Sequence, residues 1–161
     1  MLHGNIIIEP SQPNKPKDLT VSFIDYEYAV PSPAAFDIAN HFAEWAGFEC
    51  DYGSLPNRSQ RRDFIRKYVE TYFTFRPDAS VDLEEETRKL IDEVDVYRGL
   101  PGFYWGIWAL IQALISDIDF DYASYAQDRL GEYWAWKGEV EGTREKEGKE
   151  IPLRERRWAE N

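Results

Sequence analysis

The chain has 161 residues, a formal net charge of −11 and an aromatic fraction of 16%. That length and composition suit one domain with a real core, and the negative balance argues against nucleic acid and against an anionic membrane surface. The single Cys50 excludes an internal disulfide, fits a reducing, cytoplasmic compartment, and no basic-then-apolar secretory leader opens the chain.

Ile6, Ile7 and Ile8 read as a first strand, preceded by His3, Gly4 and Asn5. Pro10 to Asp18 reads as an exposed hairpin connection rich in proline and polar residues. Val21 to Ile24 reads as a second strand that runs into Asp25, Tyr26, Glu27 and Tyr28. Carboxylates at i and i+2 leave a strand end on one side, and Asp25 and Glu27 are hard oxygen ligands of the kind Mg²⁺ takes beside nucleotide phosphates. Pro31 and Pro33 then fix a turn, with Ser32 in place to cap a helix.

On that helix Asp37, Asn40, His41 and Glu44 fall at i, i+3, i+4 and i+7, one polar stripe among apolar residues and without a Lys or Arg. The stripe is either a solvated face or the lining of a site. If it is buried, its carboxylates need a cation, a metal or a hydrogen-bond network.

Ser59 is placed to cap a helix to about Phe75, with Phe64, Ile65, Tyr68, Val69 and Tyr72 inward. Arg58, Arg61 and Arg62 read as solvated surface rather than as a phosphate site. Leu83 to Arg98 predicts an amphipathic helix stopped by Gly99 and Pro101. Phe103 to Ile118 predicts a buried helix. It overlaps the longest uncharged run, Gly99 to Ser116, which is short for a membrane span. Trp105 and Trp108 share a face of it. Tyr122 to about Lys137 predicts a further helix with Tyr122, Tyr125, Arg129, Tyr133 and Trp136 along one stripe. Such a stripe is core, or else an aromatic cage for a cationic amine. Gly138 to Asn161, dominated by Glu, Lys and Arg, reads as a frayed, flexible tail with a short helix around Leu153 to Ala159.

Ile-Asp-Tyr-Glu-Tyr-Ala from Ile24, Phe-Asp-Ile-Ala-Asn-His-Phe from Phe36 and the Glu44-Trp45 pair resemble the signature of the choline/ethanolamine kinase family. Trp-Gly-Ile-Trp-Ala-Leu-Ile-Gln-Ala from Trp105 and Ile-Asp-Phe-Asp-Tyr-Ala-Ser-Tyr-Ala-Gln from Ile118 resemble the family's substrate-pocket segment. The resemblance runs from Leu2 to about Lys137 and is nearest to fungal ethanolamine kinase-like sequences.

It implies an α+β, mostly α fold: the C-terminal helical lobe of a protein-kinase-like fold with a short β-hairpin at its start. It implies transfer of the γ-phosphate of ATP, with Mg²⁺, to ethanolamine or choline in phospholipid biosynthesis. Asn5, Asp25 and Glu27 take the metal-side positions. Trp105, Trp108, Tyr125, Tyr122 and Tyr28 take the amine pocket, and Glu44 supplies its negative charge. In this family the loop Asp of the kinase Asp-x-x-x-x-Asn spacing orients the hydroxyl. Counted from Asn5, that Asp falls just before Met1, so the chain reads as lacking the catalytic Asp and the N-terminal lobe, and as inactive by itself. Choline-preferring members often carry a Tyr shortly after the Glu-Trp pair. Gly47, Phe48 and Glu49 stand there instead, which favours a primary ammonium. The alternatives are a non-catalytic amine-binding remnant, or a helical domain that pairs with an intact homologue.

Overall fold

The structure is a computed structural model that describes residues 3–9, 19–77 and 80–161. The expected connection from Pro10 to Asp18 lies outside the described residues. The β-branched runs form two antiparallel strands, β1 (Ile6–Glu9) and β2 (Thr20–Phe23), in the register Ile6 to Phe23 and Glu9 to Thr20. Ile7, Ile8, Val21 and Phe23 are all exposed on this hairpin. Among the described residues seven α-helices follow: α1 (Ala34–Ala43), α2 (Arg58–Thr74), α3 (Leu83–Tyr97), α4 (Leu100–Ile115), α5 (Tyr122–Val140), α6 (Thr143–Lys146) and α7 (Leu153–Ala159). Mostly α with a small β-hairpin is the architecture the sequence predicts.

Two centres of packing hold the helices. Ala35, Ile38, Ala39 and Phe42 of α1 meet Ile65 and Val69 of α2, Val94 of α3 and Trp158 of α7. The second centre joins Ala109 of α4 to Tyr125 and Ala126 of α5, with Trp108 and Cys50 against them. The α4–α5 pair is antiparallel and closely approached. A Cβ on Gly102 would lie 2.6 Å from the Arg129 carbonyl oxygen, and one on Gly106 would lie 2.6 Å from Leu130 Cγ. Glycine at these positions lets the two backbones approach, and this sets where the α5 side chains stand relative to the α4 tryptophans.

Several local readings differ from the structure. Pro33, not Ser32, precedes the first residue of α1, and no side chain caps it. The Pro33 carbonyl accepts from the Phe36 and Asp37 amides at 3.0 and 3.2 Å, and the helix starts from these bonds with no serine oxygen. Asn57 rather than Ser59 caps α2, in a reciprocal capping box with Gln60. Phe64, Tyr68 and Tyr72 are exposed, whereas Arg61 is buried. Helix α2 therefore turns a narrower face inward than its aromatic residues suggest, and uses a guanidinium on that face.

The largest difference concerns the charged segment after Gly138. The expected short helix is present as α7, but it is packed into the fold. Trp158 is buried in the first core, and its Nε1 donates to Asp95 Oδ1 at 2.7 Å. Arg61 Nη2 donates to the Trp158 carbonyl at 2.7 Å, and Arg157 Nε donates to the Leu55 carbonyl at 3.0 Å. The Arg58 amide donates to the Glu160 carbonyl at 2.8 Å, which satisfies an otherwise orphaned N–H in the first turn of α2. Composition marks the segment as polar, yet Trp158 and the side chains of Arg61 and Arg157, bonded to an acid and to backbone carbonyls, dock it.

Among the described residues no helix is long and apolar enough to cross a membrane. Helix α4 nevertheless presents Phe103, Ile107, Leu110, Ile111 and Leu114 as an exposed stripe, Leu114 at 87%.

Candidate amine and metal site

The site is built where the end of β2, the α1 stripe and the α4–α5 pair meet. On α4, residues 105 and 108 lie one turn apart, and the Trp105 and Trp108 rings stand edge-on with centroids 5.5 Å apart. Tyr28, carried on the segment after β2, meets both, at 5.9 Å from Trp105 and 6.3 Å from Trp108. Trp108 Nε1 donates to the Tyr28 hydroxyl at 2.9 Å, and Trp105 Nε1 donates to Asn40 Oδ1 at 2.7 Å. Tyr122 of α5 stands 5.7 Å from Trp108. Tyr125 is buried and reaches the cluster through Ala109, Ala126 and Trp108. The five aromatic residues singled out in the sequence are thus brought to one place. Such rings offer several π faces and polarised edges to a cation.

The polar stripe of α1 is neither wholly solvated nor wholly buried. Asp37 is exposed, Asn40 and His41 are half-buried, and Glu44 is buried. Asn40 orients Trp105. His41 Nε2 accepts from Trp45 Nε1 at 3.3 Å, and its ring lies 5.0 Å from Phe64, so it serves packing. Glu44 lies at the buried end of the stripe, where its charge acts on Tyr125. Its Oε1 is buried without a hydrogen-bond partner among the described residues and lies 3.9 Å from Arg129 Nη2. Burial raises the Glu44 pKa above the usual carboxylate value, and the Arg129 charge works against that rise.

Arg129 is the residue the sequence reading did not assign. It is fully buried on α5, with its guanidinium carbon 5.7 Å from the Tyr125 centroid. The available signal was a lone basic residue in a stripe of rings, because a buried arginine requires an acid opposite it. Glu49, by contrast, is exposed.

At the hairpin end Asn5 Nδ2 donates to Asp25 Oδ2 at 3.2 Å, and the Ile24 amide donates to the Asn5 carbonyl at 3.1 Å. Asp25 has φ 66°, a left-handed conformation that aspartate tolerates, and it turns the carboxylate out of the strand toward Asn5. Glu27 follows on an exposed turn. No group of three or more His, Cys, Asp or Glu side chains among the described residues is placed to hold a metal. The Asn5 amide oxygen and the Asp25 carboxylate are hard donors that fit Mg²⁺, which keeps waters and substrate phosphates in the rest of its shell. Two cavities, of about 520 Å³ between α2 and α3 and about 250 Å³ between α5 and α7, lie away from the aromatic cluster. We assign neither of them to the amine.

A sequence model described as choline/ethanolamine kinase matches residues 1–134. A probable ethanolamine kinase of Nematostella vectensis is 39% identical over 137 residues, which cover 84% of this chain and 39% of the relative. Ethanolamine kinase 1 of Homo sapiens is 40% identical over 121 residues, 74% of this chain and 27% of the relative. The solved structure of an ethanolamine kinase of Plasmodium vivax superposes with a TM-score of 0.65 at 34% identity, over 81% of this chain and 31% of that one. The chain therefore spans roughly a third of the length of the proteins it matches.

Proposed function

The chain belongs to the choline/ethanolamine kinase family, and from that premise we propose that it supplies the amine-binding and part of the metal-binding surface for ATP-dependent phosphorylation of ethanolamine, with choline as the alternative substrate. The observation that carries the reading is the convergence of Tyr28, Trp105, Trp108, Tyr122 and Tyr125 beside a buried carboxylate.

Each residue has a distinct task. The rings receive the ammonium and keep water from it, and Glu44 lowers the potential beneath them. The contacts from Asn40 and Tyr28 to the two indole N–H groups hold the rings in orientation. Asn5 and Asp25 would hold Mg²⁺ against the nucleotide phosphates, with Glu27 assisting directly or through water. The ion would neutralise charge on the transferring phosphoryl group. Positioning and charge stabilisation dominate such a transfer, so these residues act by fixing the amine and holding the ion.

Titration of ethanolamine and of choline into the chain, followed by indole fluorescence with sodium chloride as the control, tests the reading. Saturable quenching is expected, weakened at least about tenfold in Trp108→Ala, the loss of about 1.4 kcal/mol that one desolvated cation–π contact supplies. Absence of saturable binding for both amines would sink it.

A further inference from the structure

Beneath the aromatic cluster a single chain of buried charges runs from α1 to α7. Arg129 Nη2 lies 3.9 Å from Glu44 Oε1, and Arg129 Nε lies 3.5 Å from Glu132 Oε2. The same Glu132 oxygen lies 3.6 Å from Arg154 Nε on α7. Arg154 Nη1 then meets Glu155 Oε1 at 3.2 Å, and Glu155 Oε2 meets Arg98 Nε at 3.0 Å. Arg129, Glu132, Arg154 and Glu155 are all buried.

None of the three Arg129 guanidinium nitrogens has a hydrogen-bond partner among the described residues. No direct bond fixes the group, so its position is a balance between the carboxylates on either side. Glu132 is itself divided between two arginines, so the strength of its pull on Arg129 depends on Arg154 being present. Helix α7 lies beyond the matched residues 1–134, yet it supplies that second arginine.

We infer that Arg129 is a positioning residue for the Glu44 carboxylate, and that α7 sets its position through the Glu132 oxygen that Arg129 and Arg154 share. The inference rests on the proposed function only for the use of Glu44 as a negative charge near the amine. The groups that face this centre are Arg129, Glu132 and Tyr125 from α5, Arg154 from α7, and Cys50 and Tyr52, which both face Glu132 from the segment after α1. His41 stands one turn earlier on α1.

The sign of each change follows from the geometry. Removing Arg129 takes the cation from Glu44. Removing Arg154 leaves Glu132 less neutralised, so it draws Arg129 away and adds negative potential. Both changes make Glu44 hold its proton to higher pH. Removing the Glu132 charge releases Arg129 toward Glu44 and does the reverse. Loosening of the fold would behave differently, since admitting water to a buried carboxyl lowers its titration point in every variant.

The experiment is ¹³C NMR titration of the glutamate carboxyls in the full chain, with Glu44 assigned by Glu44→Gln. Arg129→Met should raise the Glu44 midpoint by about one pH unit or more, and Arg154→Met by less. Glu132→Gln should lower it, and Arg129→Lys should stay near wild type. An unchanged or lowered midpoint in Arg154→Met, with amide spectra showing a folded chain, overturns the link to α7. The same result in Arg129→Met overturns the role of Arg129. If Arg129→Met fails to fold, the opposite signs required of Arg154→Met and Glu132→Gln decide. Ethanolamine titrated into the same samples separates the two readings. A wild-type chain that ignores the amine while the midpoints move as stated removes the proposed function and leaves the charge relay standing.

Discussion

The guanidinium of Arg61 lies 3.8 Å over the indole ring of Trp158, and its Nη2 donates to the carbonyl of that same residue, 97 positions along the chain. The stacked contact closes α7 onto α2 and places the end of the chain inside the first core. A desolvated guanidinium on a tryptophan face is among the stronger contacts of its type.

Trp158→Ala should therefore destabilise the chain by about 3–5 kcal/mol, the cost of emptying a large buried aromatic site. The substitution also removes the ring from under Arg61 and takes the indole donor from Asp95. Trp158→Phe keeps the ring and loses the bond to Asp95, and should cost about half as much or less. Urea unfolding followed by circular dichroism measures both. A loss under about 1 kcal/mol for the alanine variant would mean that α7 is not docked in solution.

Glu44 predicts a pH dependence of stability. Burial holds its pKa above the ordinary value, against the pull of Arg129, so the folded chain binds that proton more tightly than the unfolded chain does. The stability this contributes is complete below the unfolded carboxylate pKa of about 4.3, and is lost as pH rises through the folded value. Glu44→Gln has no such proton to lose. Its stability relative to wild type should improve from about pH 4 toward neutrality and then level, by about 1.4 kcal/mol for each pH unit between the two pKa values. Urea midpoints of the two chains at stepped pH report the difference, and a constant gap across the range would contradict it.

Cys50 should react slowly. Burial, with the Glu132 charge adding to it, pushes the thiol up to about 11. Since the thiolate is the nucleophile, alkylation by iodoacetamide near pH 8 should run at least about 100-fold below that of a free thiol. Comparison with a cysteine peptide under the same conditions tests this, and Glu132→Gln should recover part of the rate. Equal rates for chain and peptide would show that the segment after α1 opens readily.

The helices were legible because their apolar residues recur at helical spacing, and α7 was placed at the observed residues. The aromatic members of the site were legible for a related reason: residues at i and i+3 on α4 or α5 must share a face, whatever the fold around them. The meeting of Asn5 with Asp25 depends on a hairpin register and a left-handed aspartate, and it entered the sequence reading only through the family resemblance. Arg61 escaped because sequence pattern treats a cluster of arginines as surface, and Arg129, though placed in the core stripe, was given no role because only its partners reveal one. Trp158 was visible as a lone apolar residue among charges. Its core position depends on α1, α2 and α3 leaving a gap of its shape, which no local pattern encodes.

The Arg58 amide bonded to the Glu160 carbonyl has a practical side. It adds to the Asn57–Gln60 capping box a bond delivered from about a hundred residues away, so the start of α2 is held in part by Glu160. Deleting Glu160 would take the acceptor from the Arg58 amide and release Arg157 from its acidic neighbour. Fraying would then begin about a hundred residues upstream of the deletion.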